Sequence, residues 1–155
     1  MKTLVVYYSR SGTTKKIGDL IAALLDCDCE EIFDAKNRKG LWGWITSGRD
    51  AMRKRLVPIK ETRVNPANYD LVVLGTPVFA SKMAAPIRTY ISQHKDRLKK
   101  IALFCTAGGA DTGGLFPDME EFTGQKPVAL LTVTSEEVKK GLCEEKTKKF
   151  TEAIR

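Results

Sequence analysis

The stretch that decides the fold is "TLVVYYSRSGTT", residues 3–14. A short run of apolar and β-branched residues leads directly into four hydroxyl side chains, one arginine and one glycine. The run is too short for a helix and lacks the polar alternation of a half-exposed strand, so it reads as a strand covered on both faces. From 14 to 26 the apolar residues fall at 17, 20, 21, 24 and 25, the spacing of one helical face. Strand, six-residue loop and helix place hydroxyls and unpaired backbone N–H groups at the positive end of a helix. Such a place binds phosphate without a cationic side chain. The loop matches neither G-x-x-x-x-G-K-[ST] nor G-x-G-x-x-G. Capping the helix would use only one of the four hydroxyls.

Working outward, further apolar runs stand at 71–75 ("LVVLG"), 101–107 ("IALFCTA") and 128–134 ("VALLTVT"), with a weaker one at 29–35 ("CEEIFDA") whose polar ends suit an edge strand. Helical patterns occupy 84–98, 115–123 and 136–154. Alternation of strand and helix predicts an α/β fold: one doubly wound, five-stranded parallel sheet with helices on both faces. No repeat, low-complexity tract or linker divides the chain, so residues 1–155 are read as a single domain.

At 155 residues such a domain buries roughly 70% of its unfolded surface and needs no disulfide. The four cysteines, Cys27, Cys29, Cys105 and Cys143, show neither redox nor zinc spacing and are read as reduced thiols. The N-terminal residues lack a signal-peptide core, and no apolar run is long enough to span a bilayer, so a soluble cytoplasmic protein is expected. With 26 Lys+Arg against 19 Asp+Glu the formal charge is +7, which steers acidic partners toward the molecule. No helix-turn-helix, zinc or RNA-binding signature accompanies that charge, so no nucleic-acid partner and no stable membrane insertion are expected. A non-flavin binding module using the basic surface is the remote alternative.

Residues 36–68 stand apart, with two tryptophans, two prolines and a basic cluster "RDAMRKR" (49–55). Leu41, Ile45, Met52 and Leu56 fit one helical face expected to dock on the sheet. Trp42 and Trp44, about 200° apart on a helix, cannot both face that way. His94, the single histidine, is read as a surface residue at a helix end.

In an open parallel sheet, ligands bind beyond the carboxyl ends of the strands. Three loops stand there: "SRSGTT" (9–14), "TPVFASKMAAP" (76–86) and "TAGGADTGG" (106–114). The first resembles the [ST]-x-[ST]-G-x-T phosphate loop of flavodoxins, and the element order and length fit that family over the whole chain. The resemblance implies strand order 2-1-3-4-5 and FMN as cofactor. By position, Ser9, Ser11, Thr13 and Thr14 would donate to its phosphate, with the amides of Arg10 and Gly12 completing the cradle. Arg10 is read as solvent-facing.

The second loop would lie against the flavin ring through Thr76, Pro77, Val78, Phe79, Ala80, Ser81, Lys82 and Met83, with Phe79 stacking. Thr106, Ala107, Gly108, Gly109, Asp111, Thr112 and Gly113 of the third loop would bring backbone N–H groups to the pyrimidine edge. The implied function is electron transfer between redox partner proteins; the basic charge favours partners with acidic docking faces, and a monomer is favoured with the oligomeric state left open. No catalytic acid, base or nucleophile and no metal site is implied. "GTPVFASKMAAPIRTYI" (75–91) is also similar to flavodoxin-like NAD(P)H:quinone oxidoreductases at Gly75, Thr76, Pro77, Met83 and Arg88, which makes that activity the alternative. A receiver domain of the same topology would need acidic residues where this chain has "YYSRSG".

Two features depart from the flavodoxin pattern. Residues 76–86 contain no glycine, the residue whose peptide flips beside the flavin in many flavodoxins, and the net charge is basic where flavodoxins are commonly acidic.

Overall fold

The computed structural model of the protein describes residues 1–36 and 40–155. Asn37, Arg38 and Lys39, at the start of the segment singled out above, lie outside the described residues. Strands β1 (Thr3–Tyr8), β2 (Asp28–Ile32), β3 (Leu71–Phe79), β4 (Lys82–Met83), β5 (Ile101–Ala107) and β6 (Leu130–Thr134) alternate with helices α1 (Thr13–Leu25), α2 (Gly40–Met52), α3 (Ala85–His94), α4 (Leu115–Thr123), α5 (Ser135–Lys139) and α6 (Cys143–Ile154). The long strands are parallel in the order β2-β1-β3-β5-β6.

The expected five-stranded, wholly parallel sheet needs one correction. A sixth strand, the two-residue β4, turns back antiparallel on the end of β3, pairing Val78 with Met83 and Phe79 with Lys82. Counting only the five parallel strands, the order is the 2-1-3-4-5 that the resemblance implied.

Each central strand feeds two cores, because successive side chains point to opposite faces. Leu4, Val6, Val72, Leu74, Ile101 and Leu103 pack with α3 and α4, through Ile87, Tyr90, Ile91 and Met119. Val5, Tyr7, Val73, Ala102 and Phe104 pack with α1 and α6, through Ile17, Ile21, Phe150 and Ile154. Burial on both sides explains the near-continuous apolar runs of these strands. The edge strand β2 is closed by the chain after α2: the Glu30 carboxylate accepts from the backbone N–H groups of Arg63 and Val64, and Lys60 N–H donates to Phe33 O at 2.8 Å.

The pattern at 136–154 divides into α5 and α6 around Gly141, which takes φ +70°. The four cysteines are free, and burial pushes the Cys105 thiol up to about 11, which keeps it protonated and inert. Among the described residues no helix is long and apolar enough to cross a membrane.

The largest departure is α2. Its buried residues are Gly43, Ser47, Asp50 and Ala51, while Leu41, Ile45, Met52 and Leu56 are exposed, together with both tryptophans. The small face docks and the apolar face points outward. Small residues let the helix backbone approach its support closely, and Asp50 is accommodated by Arg49 and Arg55 at 3.9 and 3.7 Å.

His94 also departs from its reading. The helix runs into the turn Lys95–Arg97, which rolls His94 inward, where it is buried against the Tyr90 ring at a centroid distance of 4.4 Å. Its Nδ1 pairs with the Arg97 guanidinium at 2.8 Å and Nε2 has no partner among the described residues. Desolvation, then the Arg97 charge, hold its pKa below the ordinary value. The unfolded chain therefore takes up the proton first as pH falls, so stability is full above the ordinary value of about 6.5 and declines below it. Urea midpoints measured from about pH 7.5 down to about pH 5.5 should fall for the native chain and fall less for His94→Gln.

Candidate functional site

Parallel pairing brings the carboxyl ends of β1, β3, β5 and β6 to one edge: Pro77 stands opposite Thr106 and Ala107 opposite Thr134. Between them opens a cleft of about 210 Å³, lined by the three loops read from the sequence and by two residues that reading did not place there.

The first loop forms its floor. Gly12 caps α1 at φ +99°, where a side chain would be strained though no atom lies near enough to block it. Lys16 N–H donates to Gly12 O at 3.0 Å, so the helical ladder begins there and the amides of Thr13, Thr14 and Lys15 have no intrahelical acceptor. Ser11, Thr13 and Thr14 line the cleft. Ser9 is turned to another task, its Oγ accepting from Gly12 N–H at 3.0 Å. Thr14 is buried and its Oγ1 lies 2.7 Å from Thr106 Oγ1, tying the start of α1 to the end of β5.

Arg10 is half-buried rather than fully solvent-facing: it lines the cleft and its guanidinium donates to Gly40 O at 2.7 Å. That bond joins the first loop to the first residue of α2, and α2 in turn brings Trp44 to the cleft wall.

The second loop is a strand end and a tight hairpin. Pro77, Val78 and Phe79 continue β3 and line the cleft. Thr76 and Met83 are fully buried. Thr76 Oγ1 accepts from Ala84 N–H at 3.0 Å and donates to Pro77 O at 2.8 Å, and Met83 packs in the core, so neither has surface to offer a ligand. Ala80 and Ser81 make the turn at φ +51° and +61°, values usually left to Gly or Asn. The turn leans on the third loop: a Cβ on Gly113 would fall 2.6 Å from Ser81 Oγ, and one on Gly114 would fall 3.7 Å from Lys82 Nζ. Of the third loop, Thr106, Ala107 and Gly108 line the cleft. Gly109, Asp111, Thr112 and Gly113 lead away in a turn closed by Gly113 N–H on Asp111 Oδ1 at 2.9 Å.

Trp44 and Ser135 are the two unplaced residues. Ser135 follows Thr134, which with Glu137 forms a capping box at the start of α5; the T-x-x-E pattern was readable in "TSEE" but carries no sign of a ligand. Trp44 could not be placed because the docking face of α2 was misread.

Arg88 and Met83, two residues of the quinone-reductase similarity, belong to the support of the hairpin. Arg88 is buried, donates to Asp118 of α4 and lies over the Phe122 ring, and Lys54 reaches Asp118 at 3.2 Å. No aspartate or glutamate lines the cleft, and among the described residues no cluster of His, Cys, Asp or Glu could hold a metal.

Beside the cleft, and sharing Trp44, Val78 and Phe79 with it, lies an apolar depression of about 480 Å³ completed by Ile45, Met52 and Arg49. A larger hollow of about 620 Å³, around Lys2, Asp26 and Arg155, is at the other end of the sheet and gathers none of these groups.

The sequence matches the flavodoxin family over residues 2–152, and the chain belongs to that family. The fold is similar to a flavoprotein from Lactobacillus acidophilus NCFM in complex with FMN, 26% identical, with a TM-score of 0.75 over 90% of this chain and 97% of that one. It also matches a flavodoxin, WrbA-like protein from Agrobacterium tumefaciens (15% identity, TM-score 0.61, 98% and 94% covered). Two-electron reduced Megasphaera elsdenii flavodoxin matches with 17% identity and a TM-score of 0.59, over 97% of this chain and 98% of that one. A comparison with curated proteins returned no match.

Holding Ala80 and Ser81 at positive φ costs on the order of 1 kcal/mol each. Ala80→Gly is accordingly expected to raise the melting temperature by about 2–4 °C, read by thermal unfolding.

Proposed function

We propose that the chain binds FMN in this cleft and carries electrons between redox partners. The observation that supports it most is the meeting of two unlike surfaces at one sheet edge. Amides without an intrahelical acceptor and the Ser11 and Thr13 hydroxyls stand at the start of α1, next to walls formed by Trp44 and Phe79. A cradle of donors with no carboxylate suits a phosphate monoester, and flat aromatic walls suit a ring system. When bound, FMN supplies one- and two-electron redox chemistry.

The roles of the chain's own residues follow from their positions. Ser11 and Thr13 would donate to the phosphate together with the unpaired amides of the first turn, while Ser9 holds Gly12 in the conformation that aims those amides. Thr14 and Thr106 fix the loop against β5. Trp44 and Phe79 would bracket the ring and exclude water from its faces, and Gly108 would leave the ring edge open to backbone donors.

A carrier is preferred to a quinone reductase because Met83 and Arg88 are consumed in packing and in the ion pair with Asp118. Oxidation of NADPH or NADH by added quinone, without a partner protein, is therefore expected to be slow.

The binding experiment compares FMN with riboflavin, which lacks the phosphate. Hydrogen bonds to a charged group contribute about 1.5–3 kcal/mol each, so Ser11→Ala with Thr13→Ala should weaken FMN at least about tenfold. Riboflavin affinity should hold, whereas Trp44→Ala should weaken both ligands alike. A colourless protein that stays colourless with added FMN would refute the assignment. Lys82→Glu should lower the potential of the second electron in a redox titration, because a nearby cation favours the more negative form of the bound group.

A further inference from the structure

More than half of the exposed large apolar side chains among the described residues stand on α2 and the turn after it. Leu41 and Trp42 are each 74% exposed and Met52 61%, and an exposed apolar face of this kind marks an interaction site. Among the described residues nothing covers it, because α2 docks through Gly43, Ser47, Asp50 and Ala51.

The charged residues that α2 and the turn after it expose are basic. Arg49, Arg53, Lys54 and Arg55 are all exposed or half-exposed, and the only acidic residue between 40 and 56 is the buried Asp50. Asp50 and Asp118 hold Arg49, Arg55 and Lys54 from below, at 3.9, 3.7 and 3.2 Å, so three of the cations are positioned before any partner arrives. Pre-positioned guanidinium groups recognise carboxylates with less loss of side-chain entropy than free ones. The patch is also concave, since the 480 Å³ depression opens between α2 and the β3–β4 hairpin.

We propose that this face docks an acidic electron-transfer protein, which inserts an apolar side chain into the depression between Trp44 and Phe79 and sets its carboxylates against Arg49, Arg53 and Arg55. The proposal rests on the FMN reading of the adjoining cleft. Because the depression and the cleft share Trp44, Val78 and Phe79, the inserted group would bring the partner's redox centre to the edge of the flavin site. One electron leaves the partner's reduced centre and is taken up at that site, so the partner is oxidised by one electron for each one the flavin gains.

Two other occupants fit less well. A second copy packed through the same face would place two basic rims against each other. A lipid surface is fluid and has no side chain to fill a fixed concavity, and two arginines and a lysine held in place suit shaped carboxylate pairs better than a diffuse anionic layer.

The test measures binding by titration calorimetry at low salt, with an acidic plant-type [2Fe–2S] ferredoxin as the probe, for native protein, Arg53→Glu and Trp42→Ala. Both substituted side chains are exposed and neither lines the flavin cleft, so folding and FMN affinity serve as internal controls. Binding in the micromolar range is expected, weakened about tenfold by Arg53→Glu and several-fold by Trp42→Ala, and falling as salt rises. No binding by the native protein, or equal binding by all three proteins, would overturn the proposal. So would retention by phosphatidylserine vesicles that both substitutions abolish, or a native dimer that Trp42→Ala converts to monomer. Failure of FMN to bind is read separately from the flavin titration, and the calorimetric arm can still be run on the flavin-free chain.

Discussion

Parallel strands can be neighbours only if each connection crosses back over a face of the sheet, and this constraint organises the rest of the molecule. It covers both faces with helices, which is why β1, β3 and β5 are apolar at most of their positions, alternating between the two cores. It also delivers every strand-to-helix loop to the same edge. A helix that begins there leaves its first N–H groups without partners, and at α1 those groups meet hydroxyls and aromatic walls. The cleft is thus a consequence of topology, filled in by the choice of residues.

Two hydrogen bonds convert that general edge into a particular site. The contact between Thr14 and Thr106 fixes the start of α1 to β5, and the bond from Arg10 to Gly40 O couples the first loop to α2. Through the second of these, the donors at one end of the cleft and Trp44 at its side belong to one mechanical unit. Arg10 therefore acts on the site by holding two elements together.

The β3–β4 hairpin shows a different economy. Its turn uses Ala80 and Ser81 in a backbone region that favours glycine, and the surrounding structure must over-determine it. It does so through Met83 in the core, through Ser81 against Gly113, and through α3 and α4 joined by Arg88 and Asp118. A glycine in this turn would flip with little resistance; the residues present hold one geometry beside Phe79.

The sequence by itself determined the α/β class, the order of strand and helix, the two-sided burial of the central strands and the three loops at the sheet edge. All of these follow from local period and from the crossover rule, which act within a few residues or on the chain as a whole. What it left open depended on which surfaces meet. Leu41, Ile45, Met52 and Leu56 have helical spacing and so looked like a docking face, yet α2 packs through its small residues and presents them to solvent. His94 looked peripheral until the turn at Lys95–Arg97 rolled it inward, and Met83 looked like a site residue, yet it is buried in the core beside the pair of Arg88 with Asp118. Periodicity shows that a helix has an apolar side; only tertiary contacts, set by the shape and polarity of what lies opposite, decide whether that side faces the core or waits for another molecule.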